Sequence, residues 1–280
     1  MRPKLVLFAL VLSAGLSVTA CDIQAGDGGF SFDVSAGKAQ ETWTRSYKLD
    51  PGSRLELINT NGKISAEPAE GDSVEVSGVR TAKASSDEAA KELLAKIEMR
   101  EEVGATSVRI EVRTPRLSGM SGHQVEWTIK VPRGVNVDLR TVNGGVRLTG
   151  LQGDIAAKTT NGGVSGKGIL SQNVQATAVN GGIEIEFGAP LAADGKVEFE
   201  TVNGGVEIGL PSESKATISA RCVNGGVRVS ELEVQKDNEA AGGRESKRRL
   251  DGTLNGGGAR VTLSTVNGGV TLRRVGSTTS

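Results

Sequence analysis

The triplet Asn-Gly-Gly recurs at Asn143, Asn161, Asn180, Asn203, Asn224, Asn255 and Asn267, and this internal repeat constrains the fold more than any other feature of the 280-residue chain. The first five copies are spaced by 18, 19, 23 and 21 residues. The surrounding phrase is nearly constant: TVNGGV from Thr141, TTNGGV from Thr159, AVNGGI from Ala178, TVNGGV from Thr201, CVNGGV from Cys222 and TVNGGV from Thr265. Thr60-Asn61-Gly62-Lys63-Ile64 is an earlier relative. Alignment on the Asn places Val137, Ile155, Val174, Val197, Ile218 and Val261 six residues before it, and Val146, Val164, Ile183, Val206, Val227 and Val270 three residues after. Apolar residues alternate with period two on both sides of the triplet, as in strands with one buried face.

Asn tolerates positive φ and Gly adopts it without steric cost. The pairs Asn61-Gly62, Asn143-Gly144, Asn161-Gly162, Asn180-Gly181, Asn203-Gly204, Asn224-Gly225 and Asn267-Gly268 are therefore read as structural turns. Asn255 lies only 12 residues before Asn267, and Gly258 replaces the apolar residue after the turn, so it reads as a loop before the last unit. A hairpin meander would use Asn-Gly in type I′ turns. It has no need for like residues at equal offsets, whereas a solenoid stacks them into columns about 4.8 Å apart. The expectation is an all-β, right-handed, parallel β-helix-like solenoid of roughly 20-residue coils. Coils following chain order would place the Asn203 turn between those of Asn180 and Asn224, with Asn267 near the C-terminal end. They would also set Glu200 beside Arg221 and Glu207 beside Arg228, although chance on a solvated face gives similar columns.

The ends of the chain differ from the repeat. Arg2 and Lys4, an apolar run from Leu5 to Leu16, and Val18-Thr19-Ala20 before Cys21 read as a signal peptide over 1–20 with Cys21 lipidated. Val18 and Ala20 also suit ordinary secretory cleavage. Lipidated Cys21 would hold the protein on a membrane of the bacterial cell envelope, at the periplasmic face or the cell surface. Residues 21–45 read as a tether and 46–275 as a single β domain. Ser85 with Glu88, followed by Ala90, Leu93, Leu94 and Ile97, predicts an inserted helix over 86–102 that packs on a sheet or plugs an end. The charged segment 233–252 reads as a solvated loop. Cys222, with Cys21 lipidated, is expected to be a small buried residue.

The phrase Leu55-Glu56-Leu57-Ile58-Asn59-Thr60-Asn61-Gly62-Lys63-Ile64 and the recurring TVNGGV resemble the DUF4097 family over roughly residues 50–275. These are β-strand-repeat proteins of bacterial envelopes labelled as candidate adhesins. The resemblance implies a β-helix-like solenoid and, for some relatives, a link to envelope stress. It supplies no catalytic residues.

A search for chemistry finds little. The balance of 33 Lys+Arg against 33 Asp+Glu argues against a nucleic-acid partner. A single histidine, His123, excludes His-pair metal sites and reads as a surface loop residue. Gly163-Val164-Ser165-Gly166-Lys167-Gly168 lacks phosphate-loop spacing. Glu184, Glu186, Glu200 and Glu207 could crowd one face as in a polysaccharide-active β-helix, or form a charged solvent face. No catalytic, cofactor or metal site is assigned. The expectation is a non-enzymatic envelope scaffold or adhesin-like binding module, its partner an envelope protein or polysaccharide. The alternatives are an envelope-stress regulatory component and a polysaccharide-active enzyme.

Overall fold

The computed structural model describes residues 37–114, 121–237 and 247–275. The chain opens with β1 (Gly37–Lys48), β2 (Arg54–Ile58), β3 (Ile64–Pro68) and β4 (Ser73–Ala84). Helix α1 (Asp87–Ala95) follows, then β5 (Glu98–Val103), β6 (Ser107–Arg113) and β7 (Gly122–Val131). The repeats supply β8 (Asn136–Asn143), β9 (Val146–Thr149), β10 (Ile155–Asn161), β11 (Val164–Ile169), β12 (Asn173–Asn180), β13 (Ile183–Phe187), β14 (Lys196–Asn203), β15 (Val206–Leu210), β16 (Ala216–Asn224) and β17 (Val227–Ser230). Last come β18 (Val234–Lys236), β19 (Arg249–Leu254), β20 (Ala259–Asn267) and β21 (Val270–Arg274).

Each triplet except that of Asn255, which joins β19 to β20 within one sheet, is a corner between two sheets. The strand before it lies in an eleven-stranded sheet and the strand after it in a ten-stranded sheet. Neighbouring coils pair in parallel at equal offsets: Val137 with Ile155, Ile155 with Val174, and Val174 with Val197. Asn61 joins this register through its bridge to Asn143. Parallel pairing excludes the hairpin meander and agrees with the solenoid reading. The inner columns, including Leu139, Phe199, Leu263, Ile183 and Ile208, fill the space between the sheets and are buried. Stacking such columns is where a repeat protein obtains most of its stability.

The coils do not follow chain order. The eleven-stranded sheet runs β18-β19-β16-β20-β14-β12-β10-β8-β2-β6-β5. The Asn267 coil is thus inserted between those of Asn203 and Asn224, and the Asn61 coil between β6–β7 and the Asn143 coil. This corrects the expected neighbours. Asn203 is flanked by Asn180 and Asn267, and Asn224, not Asn267, is the end coil. Glu200 and Arg221 both face Ser264, and Glu207 and Arg228 both face Thr271. The inserted β21 instead carries Arg273, which donates to Glu207 (2.5 Å) and Glu186 (3.1 Å). Chain adjacency misled because consecutive strands are neighbours in only about two-thirds of cases.

Antiparallel strands close the ends of the stack. β19 pairs with β16, β5 with β6, and β4 with both β7 and β1. Three segment boundaries shift accordingly. The tether expected over 21–45 stops short of Gly37, because Gly37–Arg45 belong to edge strand β1. The helix ends at Ala95 rather than 102, since Glu98–Val103 pairs residue for residue with β6 and covers that sheet edge. Its N-cap is Ser86, not Ser85, with Oγ accepting from Ala89 N–H. The helix packs on β1 and β4 through buried Ala90 and Leu94, as an element laid on a sheet. The segment 233–252 contains β18 and the start of β19, and β18 pairs antiparallel with the end of β19, Gly252–Leu254; residues 238–246 lie outside the described residues.

The two glycines of a corner differ. A Cβ on Gly204 would lie 2.2 Å from the Gly181 carbonyl oxygen, whereas one on Gly205 would lie 3.5 Å from the Gly269 carbonyl. Replacing Gly204 by Ala is expected to lower the urea midpoint markedly, since forcing atoms into packed structure costs about 1–3 kcal/mol or more. Gly205→Ala is expected to be neutral or slightly stabilising. Equal losses for the two variants would contradict this account of the corner.

Candidate functional site

The corner begins with side-chain amides. Asn143, Asn161, Asn180 and Asn203 each donate from Nδ2 to the Oδ1 of the preceding coil's Asn, at 2.7–2.9 Å. Asn267 donates to Asn203, and Asn224 to Asn267, both at 2.8 Å. Seven predicted turn asparagines thus form one row in the order 61, 143, 161, 180, 203, 267, 224. Such bonds contribute about 0.5–1.5 kcal/mol each. Asn is required for this ladder and not for its tolerance of positive φ: none of the seven has positive φ, whereas Asn255, in its loop, does (49°). The first glycine is fixed by crowding. Gly204 is not among the positive-φ residues, and a Cβ there or at Gly162 would meet the neighbouring coil's Gly carbonyl at 2.2 Å.

The same carbonyls satisfy a second row. Buried Thr159, Thr201 and Thr265 donate from Oγ1 to Gly144, Gly181 and Gly204 oxygens at 2.7–2.8 Å, and Thr141 donates to Gly62 at 3.1 Å. Their hydroxyls can therefore face the core without an unsatisfied polar group. Cys222 takes this position in the end coil and is buried, with Sγ 3.6 Å from the Arg248 carbonyl. Outside the asparagine row, Val142, Val202, Val266 and Val223 stand exposed.

His123 terminates the amide row. It lies half-buried in β7, not in a surface loop, and its Nε2 is 3.3 Å from Asn61 Nδ2. Because Asn61 Nδ2 donates, Nε2 must be unprotonated and Nδ1 carries the proton. Sequence reading missed this because β7 lacks the triplet and lies 62 residues from Asn61. Three of the four glutamates share a face of the ten-stranded sheet: Glu184 stands opposite Glu207, Glu186 is two residues along, and Arg273 binds Glu186 and Glu207, while Glu200 lies on the other sheet. Among the described residues no group of His, Cys, Asp or Glu is arranged to hold a metal. Cys21 lies outside the described residues.

A cleft opens at the opposite end of the stack from Asn224, where β1 and β4 part from β5. Its volume is about 580 Å³, and Trp43, Arg45, Arg80, Met99, Arg100, Glu101 and Arg113 line it among others. Trp43 meets Trp127 edge to face at 5.7 Å, and the Arg45 guanidinium sits 4.9 Å from the Trp43 ring centre. Arg45 pairs with Glu101 at 3.3 Å, and Tyr47 donates to Glu101 at 2.5 Å. Burial, then the bond to Glu101, raises the Tyr47 pKa well above its ordinary value. Arg80 is held by the Ile97 carbonyl at 2.7 Å and by Glu41 at 2.6 Å. The lining carries four arginines with Glu98 and Glu101 and an aromatic floor; Glu41 and Glu111 pair with Arg80 and Arg113 at its edge. Trp43 and Arg45 fall within the segment that the sequence alone reads as a tether.

A family model described as Toastrack DUF4097 matches residues 29–273. The chain belongs to the DUF4097 family. A candidate cell adhesion protein from Clostridium sporogenes ATCC 15579 shares the fold at 13% identity and a TM-score of 0.52, over 84% of this DUF4097 chain and 100% of its own. A candidate adhesin from Bacteroides fragilis NCTC 9343 is 11% identical with a TM-score of 0.35, over 84% and 97% of the two chains. No curated protein matches the sequence.

Burial lowers the His123 pKa from its ordinary 6.5. The folded DUF4097 domain therefore takes up this proton less readily than the unfolded chain. The contribution is complete above the unfolded value and is lost as pH falls through it toward the lowered folded value. Between about pH 7.5 and about pH 5 the urea midpoint is expected to fall more for the wild type than for His123→Gln. Parallel losses would separate His123 from the acid sensitivity.

Proposed function

We propose that this DUF4097 protein is a non-enzymatic, adhesin-like binding module of the bacterial envelope, anchored by lipidated Cys21, with the cleft as its ligand mouth. The observation that carries the reading is the Arg45–Trp43 stack inside a concavity lined by four arginines. Guanidinium groups bind carboxylate or phosphate, and a tryptophan floor accepts a ring face. An acidic envelope polysaccharide has both features. The likeness to a candidate cell adhesion protein agrees with this role.

The test is retention of the purified protein on immobilised acidic and neutral polysaccharides. Acidic polymers are expected to retain the wild type. Charge-assisted contacts are worth about 1.5–3 kcal/mol, so the double variant Arg100→Glu/Arg113→Glu should bind roughly tenfold or more weakly. Its thermal midpoint should stay near the wild-type value, since Arg113 is half exposed and Arg100 exposed. Retention unchanged by the double variant would place the ligand elsewhere. Glycan cleavage abolished by Glu184→Gln or Glu207→Gln would replace the binding role with an enzymatic one.

Anchoring is tested separately. Metabolic labelling with a palmitate analogue is expected to mark the wild type and not Cys21→Ser. A mature protein that stays soluble and unlabelled would remove the anchor from the proposal.

A further inference from the structure

An Asn-Gly step is chemically labile. The backbone nitrogen of the glycine can attack the asparagine side-chain carbon, and glycine has no side chain to obstruct it. The protein carries seven such steps in the ladder, and stacking treats six of them alike. In those six, the glycine N–H donates to the Asn carbonyl of the next coil outward. The pairs are Gly62 to Asn143, Gly144 to Asn161, Gly162 to Asn180, Gly181 to Asn203, Gly204 to Asn267 and Gly268 to Asn224, at 2.8–3.0 Å. Each of the six asparagines also receives an amide from the next Asn on its Oδ1. Nucleophile and electrophile are both held.

Asn224–Gly225 is the exception because, among the described residues, no coil lies beyond it. The antiparallel cap follows β16 only as far as the bond from Cys222 N–H to the Arg248 carbonyl. Among the described residues, Gly225 N–H has no acceptor and Asn224 Oδ1 has no donor. Gly225 is also the one first glycine of the seven that is exposed; Gly62, Gly144, Gly162, Gly181, Gly204 and Gly268 are half-buried.

We infer that Asn224–Gly225 is a self-modification site at which the ladder deamidates from its free end. The Gly225 nitrogen loses its proton and attacks Asn224 Cγ. The new N–Cγ bond closes a succinimide, the Cγ–Nδ2 bond breaks, and Nδ2 leaves as ammonia with the proton. Solvent water then opens the ring at either carbonyl, giving aspartate or isoaspartate. No oxidant or cofactor takes part. The product has a carboxylate where Nδ2 donated to Asn267 Oδ1, so acceptor faces acceptor and the end coil loosens. Asn255–Gly256 is the competing step. There Nδ2, the group that must leave, is held twice, by the Ser212 and Ser214 carbonyls at 2.7 and 2.8 Å, whereas Asn224 Nδ2 makes the single bond to Asn267 Oδ1.

The test incubates the full-length protein at mildly alkaline pH, with peptide mapping and isoaspartate-specific methylation at intervals. Asn224 is expected to convert at roughly ten times the rate of any other ladder asparagine, the factor made by about 1.4 kcal/mol of barrier, comparable to one backbone hydrogen bond. In denaturing urea the seven steps should convert at similar rates, which separates protection by the fold from local sequence. Asn224→Gln should remove the fast phase, because the longer side chain disfavours ring closure. Asn224→Asp should lower the urea midpoint of the folded protein. Conversion at Asn143, Asn180 or Asn255 ahead of Asn224, or no preference over the urea control, would overturn the inference.

Discussion

The structure depends on the close parallel approach of successive corners, one strand spacing apart. At that distance a Gly carbonyl of one coil lies where a Cβ of the next would be, as near as 1.8 Å at Gly225 and 2.2 Å at Gly204. Glycine at the first corner position follows from this crowding, and the carbonyl so exposed becomes the acceptor for the inward Thr hydroxyl. The Asn beside it must then satisfy its own amide, and the like residue above and below is the partner at hand. Asn, Gly and Thr thus recur together because each meets a need created by the others. Lys63 stands at the second corner position of the Asn61 coil, where more room is left.

Closing the stack is a separate problem. A bare parallel coil would expose backbone donors and acceptors on its last strand. The protein uses antiparallel strands for this: β19 at one end, β4 and β5 at the other. At both ends a coil distant in sequence is inserted beneath the outermost one. These insertions demand pairing of residues far apart, such as Asn203 with Asn267, and such contacts slow folding through the entropy of loop closure. They also tie the chain's ends into the stack, so that Arg273, from the last strand, can neutralise Glu186 and Glu207.

The two ends offer different chemistry. Toward β1 and β5 the sheets part, and Trp43 and a set of arginines line the opening. Toward Asn224 the ladder stops without a full cap, leaving a labile Asn-Gly step open to solvent. Between them the repeat presents a regular surface with its polar groups paired within the stack. The binding proposed at one end and the ageing inferred at the other would both arise because a one-dimensional stack has ends.

How much was legible follows from range. Residue spacing alone determined the columns, the parallel coils and the inclusion of Asn61, because these are set by period two and a repeat of near-constant length. It also set Asn255 apart. It did not determine coil order, since identical corners dock equally well in more than one sequence order and only the end strands decide between them. Burial of Val227 and Val229 is partial, which suits β17 to an outer position and leaves β21 for the interior. The helix end was misplaced because pairing of Glu98–Val103 with β6 outweighed helix propensity. His123, Arg45 and Arg80 of the cleft, and the free N–H of Gly225 owe their roles to contacts between separate strands or to the absence of a neighbouring coil. Such relations exist only once the chain is folded, which is why the sequence determined the repeat and tertiary structure alone decided its order, its ends and its candidate sites.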